Sequence, residues 1–227
     1  MATALITGAS SGMGLATAEL YLEKGWTVLA LDLAPVPSAT RSARVDVADR
    51  AAVEAALAEL AGSGVIDVVA NIAGIYPPTT LETYTGELFH RIFGVNVLGL
   101  LNVTAAALPY MKEGSAVVNF ASVDGFTVSR GQLLYGASKA AVVMLTKECA
   151  LELAPRRIRV NGIAPGWVHT PGNAATGRMA AAAAGIPLGR VAQPREIAEW
   201  VYLLGDSKLS GFMTGETVVL SGGDVLR

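Results

Sequence analysis

Residues 7–14 read TGASSGMG and place three glycines and two serines directly after the apolar residues ALI at positions 4–6. Glycine permits positive φ and lets backbone approach a ligand closely, and the first turn of a helix offers unpaired N–H groups to an anion. The stretch therefore predicts a strand, a phosphate-binding turn and a helix, in that order. An ordinary flexible turn capped by Ser10 or Ser11 is the alternative, because a glycine pattern alone is a weak signal.

Short apolar runs alternate with helical patterns along the rest of the chain. The runs are TALIT, TVLALD, ARVDV, IDVVAN, SAVVNF, IRVNGI and ETVVLSGG. Helical patterns lie at 12–24, 49–61, up to about 112, 135–154 and 194–205. Strands so rich in Val, Ile, Leu and Ala, separated by helices, indicate a parallel sheet with both faces covered. We therefore predict the α/β class, as a single Rossmann-type domain over residues 1–227 with a doubly wound parallel sheet and helices on both faces.

Composition argues against several functional classes. The formal net charge is −2 and the chain has no run of Lys or Arg, so no nucleic-acid partner is expected. The single cysteine, Cys149, cannot form an internal disulfide, and no secretory signal pattern opens the sequence, which favours a cytoplasmic protein. His90 has no cluster of metal ligands around it, so no metal site is expected, and His169 is assigned no catalytic role.

Residues 92–111, IFGVNVLGLLNVTAAALPYM, carry no charge over a length that spans a bilayer. Asn96, Asn102 and Pro109 make this segment a poor lipid-facing helix, because amide side chains are costly in hydrocarbon without partners. We predict a buried helix and no membrane association. This helix and the one at 135–154 are apolar on more than one side, which predicts that a partner subunit covers them.

Asp32 closes the second predicted strand, 18 residues after Gly14. A carboxylate at this place accepts hydrogen bonds from an adenosine ribose and repels a 2′-phosphate, which favours NAD over NADP. Capping of a local turn is the alternative role for Asp32, and Arg41 and Arg44 keep NADP open. The stretch from Asp32 to Val45 is too brief for a full crossover helix, so we expect a loop there and an exposed adenine site.

The sequence YGASKAA places Tyr135 and Lys139 four residues apart, on one face of a predicted helix. A nearby ammonium group lowers the pKa of a phenol, so Tyr135 is predicted to exchange a proton with an alcohol or carbonyl oxygen. Ser122 follows the strand SAVVNF and is positioned to orient that oxygen. Asn96 is predicted to hold a backbone group or a water. Such Tyr/Lys pairs also occur on ordinary solvated helix faces, which is the alternative.

Several of these motifs together resemble the short-chain dehydrogenase/reductase family, over essentially the whole chain. The family's glycine pattern is matched by Thr7, Gly8, Gly12 and Gly14, and its Asn-Asn-Ala-Gly element by residues 71–74, with Ile72 in place of the second Asn. The family's catalytic set falls on Asn96, Ser122, Tyr135 and Lys139. The segment that resembles its nicotinamide-carboxamide site contains Asn161, Pro165, Gly166 and Thr170.

The resemblance implies a bound NAD and the residues that contact it. These are Gly8, Ser10, Ser11, Gly12, Met13, Gly14, Asp32, Leu33, Asp46, Val47, Asn71, Ala73, Gly74, Tyr135, Lys139, Pro165, Gly166, Val168 and Thr170. It also implies a substrate lid at about residues 171–190 and a homotetramer. Asp124 and Gln132 are candidates to reach the substrate, although a turn-forming role near Gly125 is as well supported for Asp124.

The predicted function is hydride transfer between NAD and a secondary alcohol or ketone, with a small cyclic alcohol or diol as the small-molecule substrate. An NADPH-dependent carbonyl or 3-ketoacyl reductase is the alternative within the same chemistry. A dinucleotide sensor without catalytic activity is the alternative from another class, and the intact set of Ser122, Tyr135 and Lys139 argues against it.

Overall fold

The computed structural model describes residues 1–226 and contains a seven-stranded sheet in the order β3-β2-β1-β4-β5-β6-β7. The strands are β1 Thr3–Thr7, β2 Thr27–Asp32, β3 Arg41–Arg44, β4 Val68–Asn71, β5 Ala116–Phe120, β6 Arg159–Pro165 and β7 Thr217–Leu220. Every neighbouring pair is parallel. The strand order reverses direction between β1 and β4, which is where open α/β sheets bind their ligands.

Helices connect most of these strands and cover both faces of the sheet. They are α1 Gly12–Glu23, α2 Arg50–Ala61, α3 Gly86–Phe93, α4 Gly99–Ala107, α5 Leu133–Leu153, α6 Pro171–Ala174, α7 Met179–Gly185, α8 Pro194–Gly205 and α9 Ser207–Ser210. A π-helical turn, Gly94–Leu98, joins α3 to α4. The predicted α/β class and doubly wound parallel sheet are therefore confirmed.

The core forms two layers, one on each side of the sheet. Along β1, Leu5 packs with α2 and α4 on one face, while Ala4 and Ile6 pack with α1 and α8 on the other. Alternate side chains of a strand point to opposite faces. Because both faces are covered at the centre of this strand, residues 4–6 are all apolar, which explains why the strand could be found from the sequence.

The connection from β2 to β3, residues 33–40, contains no helix, as the sequence analysis predicted. Val36 from this loop is buried against the α1 side of the sheet, so the loop fills part of the space that a helix would occupy. Leu33, at the start of the loop, remains 60% exposed. The end of the sheet beside β2 is consequently open to solvent.

Residues Gly86–Tyr110 form a helical stretch that is long and apolar enough to cross a membrane by length and composition. Half of its most apolar window is nevertheless buried inside the protein. Asn102 donates to the carbonyl oxygens of Val47 and Ala48 at 3.0 and 3.2 Å. These contacts show that the helix packs against the sheet. The buried half of the window agrees with the buried helix that we predicted for residues 92–111.

Candidate active site

The turn between β1 and α1 is held close to the end of β4 by backbone contacts. Gly8 and Gly12 have φ values of 68° and 54°, and the Thr7 hydroxyl accepts from the N–H groups of Ile72 and Ala73, each at 3.0 Å. A Cβ on Gly8 would lie 2.9 Å from the Ala73 backbone, and one on Gly14 would overlap the Gly8 carbonyl. Glycine is therefore required for this turn to pack.

The first turn of α1 carries no side-chain cap. Ser11 occupies the N-cap position with extended backbone, but its side chain makes no capping hydrogen bond. The alternative of a helix capped by a serine side chain is therefore wrong. The first-turn N–H groups of α1 instead lie at the edge of a cleft.

Asp32 lies at the end of β2 and holds two backbone groups. Its carboxylate accepts from the N–H of Ser10 and the N–H of Ala34, each at 2.9 Å. The contact with Ala34 is the local turn cap that was the alternative role for Asp32. The contact with Ser10 holds the glycine-rich turn in place. Asp32 also borders the cleft, so capping and ligand binding are compatible roles.

We call the space beside this turn the glycine-lined cleft, which has a volume of about 380 Å³. Most of the predicted cofactor residues border it, namely Gly8, Ser10, Ser11, Gly12, Met13, Gly14, Asp32, Leu33, Asp46, Val47, Ala73, Gly74 and Thr170. The sequence patterns did not single out Tyr76, Val95 or Gly172, which border it as well.

Other predicted cofactor residues lie outside the cleft wall. Asn71 is buried and donates to Thr104 Oγ1 at 3.0 Å and to Asn119 Oδ1 at 2.9 Å. Its side chain thus joins β4 to β5 and α4. Pro165 and Val168 are buried behind the surface. Gly166 borders a second space, described below.

Ser122, Tyr135 and Lys139 are brought together by the end of β5 and the first two turns of α5. Ser122 begins the turn after β5, and its Oγ accepts from the Asp124 N–H at 3.2 Å. Lys139 is buried, and its Nζ donates to the Phe120 carbonyl at 2.6 Å. The same Nζ lies 5.7 Å from the centre of the Tyr135 ring.

The electrostatics of this group differ from the sequence-based expectation. Burial raises the pKa of Tyr135 and is the largest influence on it, while a hydrogen bond with Ser122 lowers that pKa. Burial also lowers the pKa of Lys139 to about 8. We expected Lys139 to lower the pKa of Tyr135, but its ammonium group is hydrogen-bonded to Phe120, and desolvation of the phenol outweighs the other influences.

Asn96 lies in the π-helical turn and clamps one residue of the loop after β4. Its Oδ1 accepts from the Ile75 N–H at 2.8 Å, and its Nδ2 donates to the Ile75 carbonyl at 2.9 Å. Nδ2 also donates to Ser138 Oγ at 3.0 Å. Gly74 lies beside this clamp, since a Cβ on it would be in ordinary van der Waals contact with Asn96 Oδ1 and Lys139 Nζ, at 3.4 and 3.5 Å. Of the two predicted roles for Asn96, holding a backbone group is the one observed.

A second space of about 460 Å³, the Tyr135 cavity, adjoins this group. Tyr135, Ser122, Gly166, Asp124 and Gln132 border it, as do Trp167, Asn173, Arg178 and Asp224. Tyr76 borders both this cavity and the glycine-lined cleft, and its ring packs edge-on to Tyr135 with centroids 5.9 Å apart. Within residues 1–226 no group of three or more His, Cys, Asp or Glu side chains is arranged to hold a metal ion.

Known proteins resemble this chain in both sequence and fold. The family model described as enoyl-(acyl carrier protein) reductase matches residues 8–224. The 3-oxoacyl-(acyl-carrier-protein) reductase FabG of Thermotoga maritima is 36% identical over 239 residues, which cover 98% of this chain and 97% of that protein. A Brucella melitensis structure described as a short-chain dehydrogenase/reductase, glucose/ribitol dehydrogenase, is 30% identical with a TM-score of 0.90, covering 100% of this chain and 97% of that one. The chain belongs to the short-chain dehydrogenase/reductase family.

A further structural neighbour is the aldohexose dehydrogenase of Thermoplasma acidophilum, at 28% identity and a TM-score of 0.92, covering 100% of this chain and 94% of that one. The predicted family and oxidoreductase class are thus confirmed. The names of these relatives refer to 3-oxoacyl groups in one case and to sugars in others, so membership of the short-chain dehydrogenase/reductase family does not by itself identify the substrate.

Proposed function

We propose that this protein is an NAD-dependent dehydrogenase that acts on a secondary alcohol or its ketone, preferably a small cyclic alcohol or diol. The observation that carries the proposal is the position of Tyr135. Its side chain borders the Tyr135 cavity together with Ser122, and the adjacent Tyr76 borders both that cavity and the glycine-lined cleft. A substrate in the cavity and a cofactor in the cleft would meet beside the Tyr135 hydroxyl.

The glycine-lined cleft fits a nicotinamide dinucleotide. The absence of side chains at Gly8 and Gly14 leaves the uncapped first turn of α1 accessible to a pyrophosphate. Asp32 would accept from ribose hydroxyls, Asp46 would lie beside the adenine, and Thr170 would contact the carboxamide. When bound, the cofactor supplies the acceptor or donor of a hydride.

Tyr135 would exchange a proton with the substrate oxygen. Because burial raises its pKa, the phenol is protonated near neutral pH and is ready to act as the acid when a ketone is reduced. In the oxidising direction Tyr135 must first lose its proton, and the phenolate then accepts the proton of the alcohol; the hydrogen bond from Ser122 favours this charged form. Lys139, with its pKa lowered to about 8, is suited to pass that proton onward. Asn96 keeps the loop before Tyr76 in place.

The preference for NAD rests on the charges near the adenosine end. The Asp32 carboxylate would repel a 2′-phosphate. Arg41, which kept NADP open in the sequence analysis, donates to the Leu60 carbonyl at 2.9 Å, and neither Arg41 nor Arg44 borders the glycine-lined cleft. An NADPH-dependent carbonyl or 3-ketoacyl reductase is the second candidate, and its support is the 36% identity to the Thermotoga reductase.

Titration calorimetry with NAD⁺ and NADP⁺, followed by turnover assays with each cofactor, tests this proposal. The assay panel consists of cyclohexanol, cis-1,2-cyclohexanediol and an acetoacetyl thioester. We expect binding of NAD⁺ at least about tenfold tighter than NADP⁺, equivalent to about 1.4 kcal/mol, and oxidation of the alcohols. Turnover of the thioester with NADPH alone would favour the reductase. Dinucleotide binding without turnover of any compound would favour the sensor.

We further propose a cytoplasmic homotetramer with a single domain over residues 1–227 and a lid at residues 171–190, which include α6 and α7. Exposed apolar side chains on the two helices expected to meet a partner support the assembly, since Leu98, Met144 and Leu151 are 49%, 54% and 76% exposed. Light scattering coupled to size-exclusion chromatography measures the assembly directly, and a monomeric mass would contradict it.

A further inference from the structure

Hydrogen-bond acceptors are among the side chains that border the Tyr135 cavity. In addition to Ser122, two carboxylates, Asp124 and Asp224, and the amide of Gln132 border this space. An acyl thioester offers mainly carbonyl oxygens, which are acceptors and cannot pair with a carboxylate. Ser122 and Gln132 can pair with either kind of group, whereas the two carboxylates can pair only with donors such as hydroxyl groups, so they favour a substrate that carries donors.

Asp124 borders the same cavity as Tyr135 and is held in place there. Its Oδ1 accepts from the Ser129 hydroxyl at 2.6 Å, which restricts the carboxylate within the loop after β5. Its charge also raises the pKa of the Tyr135 phenol. A substrate whose carbinol oxygen lies at Tyr135 would therefore bring a neighbouring substituent towards Asp124.

Gln132 provides a second acceptor without a partner. Its backbone is fixed at the start of α5, where the Gly136 N–H donates to the Gln132 carbonyl at 2.8 Å. Its side-chain Oε1 is buried and has no hydrogen-bond partner within residues 1–226. Leaving a buried acceptor unpaired costs free energy. Because Gln132 borders the cavity, a hydroxyl group of a ligand there would supply the donor that this oxygen lacks.

An aromatic surface completes the cavity. The Trp167 indole and the Tyr76 ring both border it, and the Arg178 guanidinium lies 5.4 Å from the Trp167 ring centre. Aromatic faces pack well against the C–H faces of a saturated ring, while Arg178 can donate to hydroxyl oxygens at the mouth. The Tyr135 cavity is thus bordered by hydrogen-bond acceptors, hydrogen-bond donors and aromatic rings.

We infer that the substrate is a ring bearing at least two hydroxyl groups, one that reacts at Tyr135 and one that donates to Asp124 and Gln132. This inference rests on the proposed dehydrogenase function and narrows its substrate class. Asp124 and Gln132 are then specificity-determining residues that contact the substrate. A site built to hydrogen-bond a hydroxyl discriminates strongly against the analogue that lacks it.

The test compares cis-1,2-cyclohexanediol with cyclohexanol in the wild-type protein and in Gln132→Leu, Asp124→Asn and Gln132→Glu. In the wild-type protein with NAD⁺, we expect kcat/KM to be at least about tenfold higher for the diol than for cyclohexanol. Gln132→Leu and Asp124→Asn should each reduce this diol-to-cyclohexanol ratio about tenfold. Gln132→Glu retains an acceptor and should preserve the ratio. Glu87→Gln removes a carboxylate on α3, away from the cavity, and should leave the ratio unchanged.

A binding measurement provides a readout that does not depend on turnover. The Tyr135→Phe protein with NAD⁺ is titrated with each alcohol by calorimetry, and the diol should bind at least about tenfold more tightly. Equal affinity or equal kcat/KM for the two alcohols, unaffected by both variants, would overturn the inference while leaving the dehydrogenase proposal intact. If neither alcohol is turned over, the proposed function fails, and the ratio of the two affinities still decides the inference.

Discussion

The glycine-lined cleft and the Tyr135 cavity share Tyr76 as a wall, yet they are built from different parts of the chain. The cleft follows the ends of β1, β2 and β4, and backbone atoms leave no room for a side chain at Gly8 and Gly14. The cavity is bordered mostly by side chains from loops, and one of them, Val128, is 94% exposed. Backbone geometry thus determines the first space, and side-chain identity determines the second.

The parallel sheet would therefore provide the cofactor site, whereas the loops would provide substrate selectivity. The switch point of a parallel sheet supplies a ligand site whatever chemistry follows. Loops tolerate substitution without loss of the fold, and so they are where selectivity changes. Substitutions in each space test how cleanly the cleft and the cavity divide these roles.

The largest effect is expected where the two spaces meet. Tyr135→Phe removes the hydroxyl that exchanges the proton while retaining the ring that packs against Tyr76, so kcat should fall by about 10²–10⁴-fold. Affinity for NADH, measured by fluorescence titration, should change less than about threefold. Tyr84→Phe on an exposed loop is the matched control and should retain full activity. Turnover retained by Tyr135→Phe would rule out the proposed proton transfer.

The glycine-lined cleft should be sensitive to a single methyl group. Gly14→Ala places a Cβ against the Gly8 carbonyl, so the turn must move, and we expect a loss of about 1–3 kcal/mol in the free energy of unfolding together with a weakening of NAD⁺ binding by tenfold or more. Denaturant titration and calorimetry measure the two effects. Gly86→Ala, where a Cβ meets nothing within 4 Å, should alter neither. Similar behaviour of the two variants would show that the close packing at Gly14 has no role.

Charge within the cleft should affect the choice of cofactor rather than the fold. Asp32→Asn removes the negative charge and keeps one oxygen, which can accept from either the Ser10 or the Ala34 N–H group, since these two groups bind different carboxylate oxygens in the wild-type protein. The ratio of kcat/KM for NAD over NADP should fall about tenfold, equivalent to about 1.4 kcal/mol. Asp49→Asn, at the N-cap of α2, preserves capping and should not change the ratio. An unchanged ratio in Asp32→Asn would mean that another residue selects the cofactor.

The smallest effect is expected in the loop after β4, which carries both Tyr76 and Thr79. Buried Thr79 accepts from the Leu134 N–H through Oγ1 at 3.1 Å, and so caps the helix that carries Tyr135. Thr79→Val keeps the shape but loses this cap, worth about 1 kcal/mol, and we expect kcat to fall severalfold with little change in the KM for cofactor. Thr79→Ser should restore kcat. Equal kcat values for the Val and Ser variants would contradict a positioning role for this hydroxyl.

Sequence patterns predicted most of the fold because its requirements are local. The mostly apolar strands other than β3 reveal a sheet covered on both sides, and the missing helix between Asp32 and Val45 followed from length alone. Gly8, Gly14 and Asp32 were found for the same reason, since their roles depend on the turn that immediately surrounds them.

Other parts of the site depend on contacts between distant segments. Tyr76 is brought between the two spaces by the Asn96 clamp on Ile75, 21 residues away in sequence, which no local pattern reveals. The pKa of Tyr135 was expected to be lowered, because the spacing to Lys139 was visible while desolvation and the Phe120 carbonyl were not. Burial and long-range pairing have to be seen in three dimensions.

The loop that replaces a helix after β2 has a practical consequence. With only residues 33–40 beside that end of the sheet, a dinucleotide bound as we propose would project its base into bulk water rather than under a covering element. A resin or dye tethered through the exocyclic amino group of the base should then meet no steric obstruction. Affinity capture through that tether would make purification of the enzyme and recycling of an immobilised coenzyme straightforward.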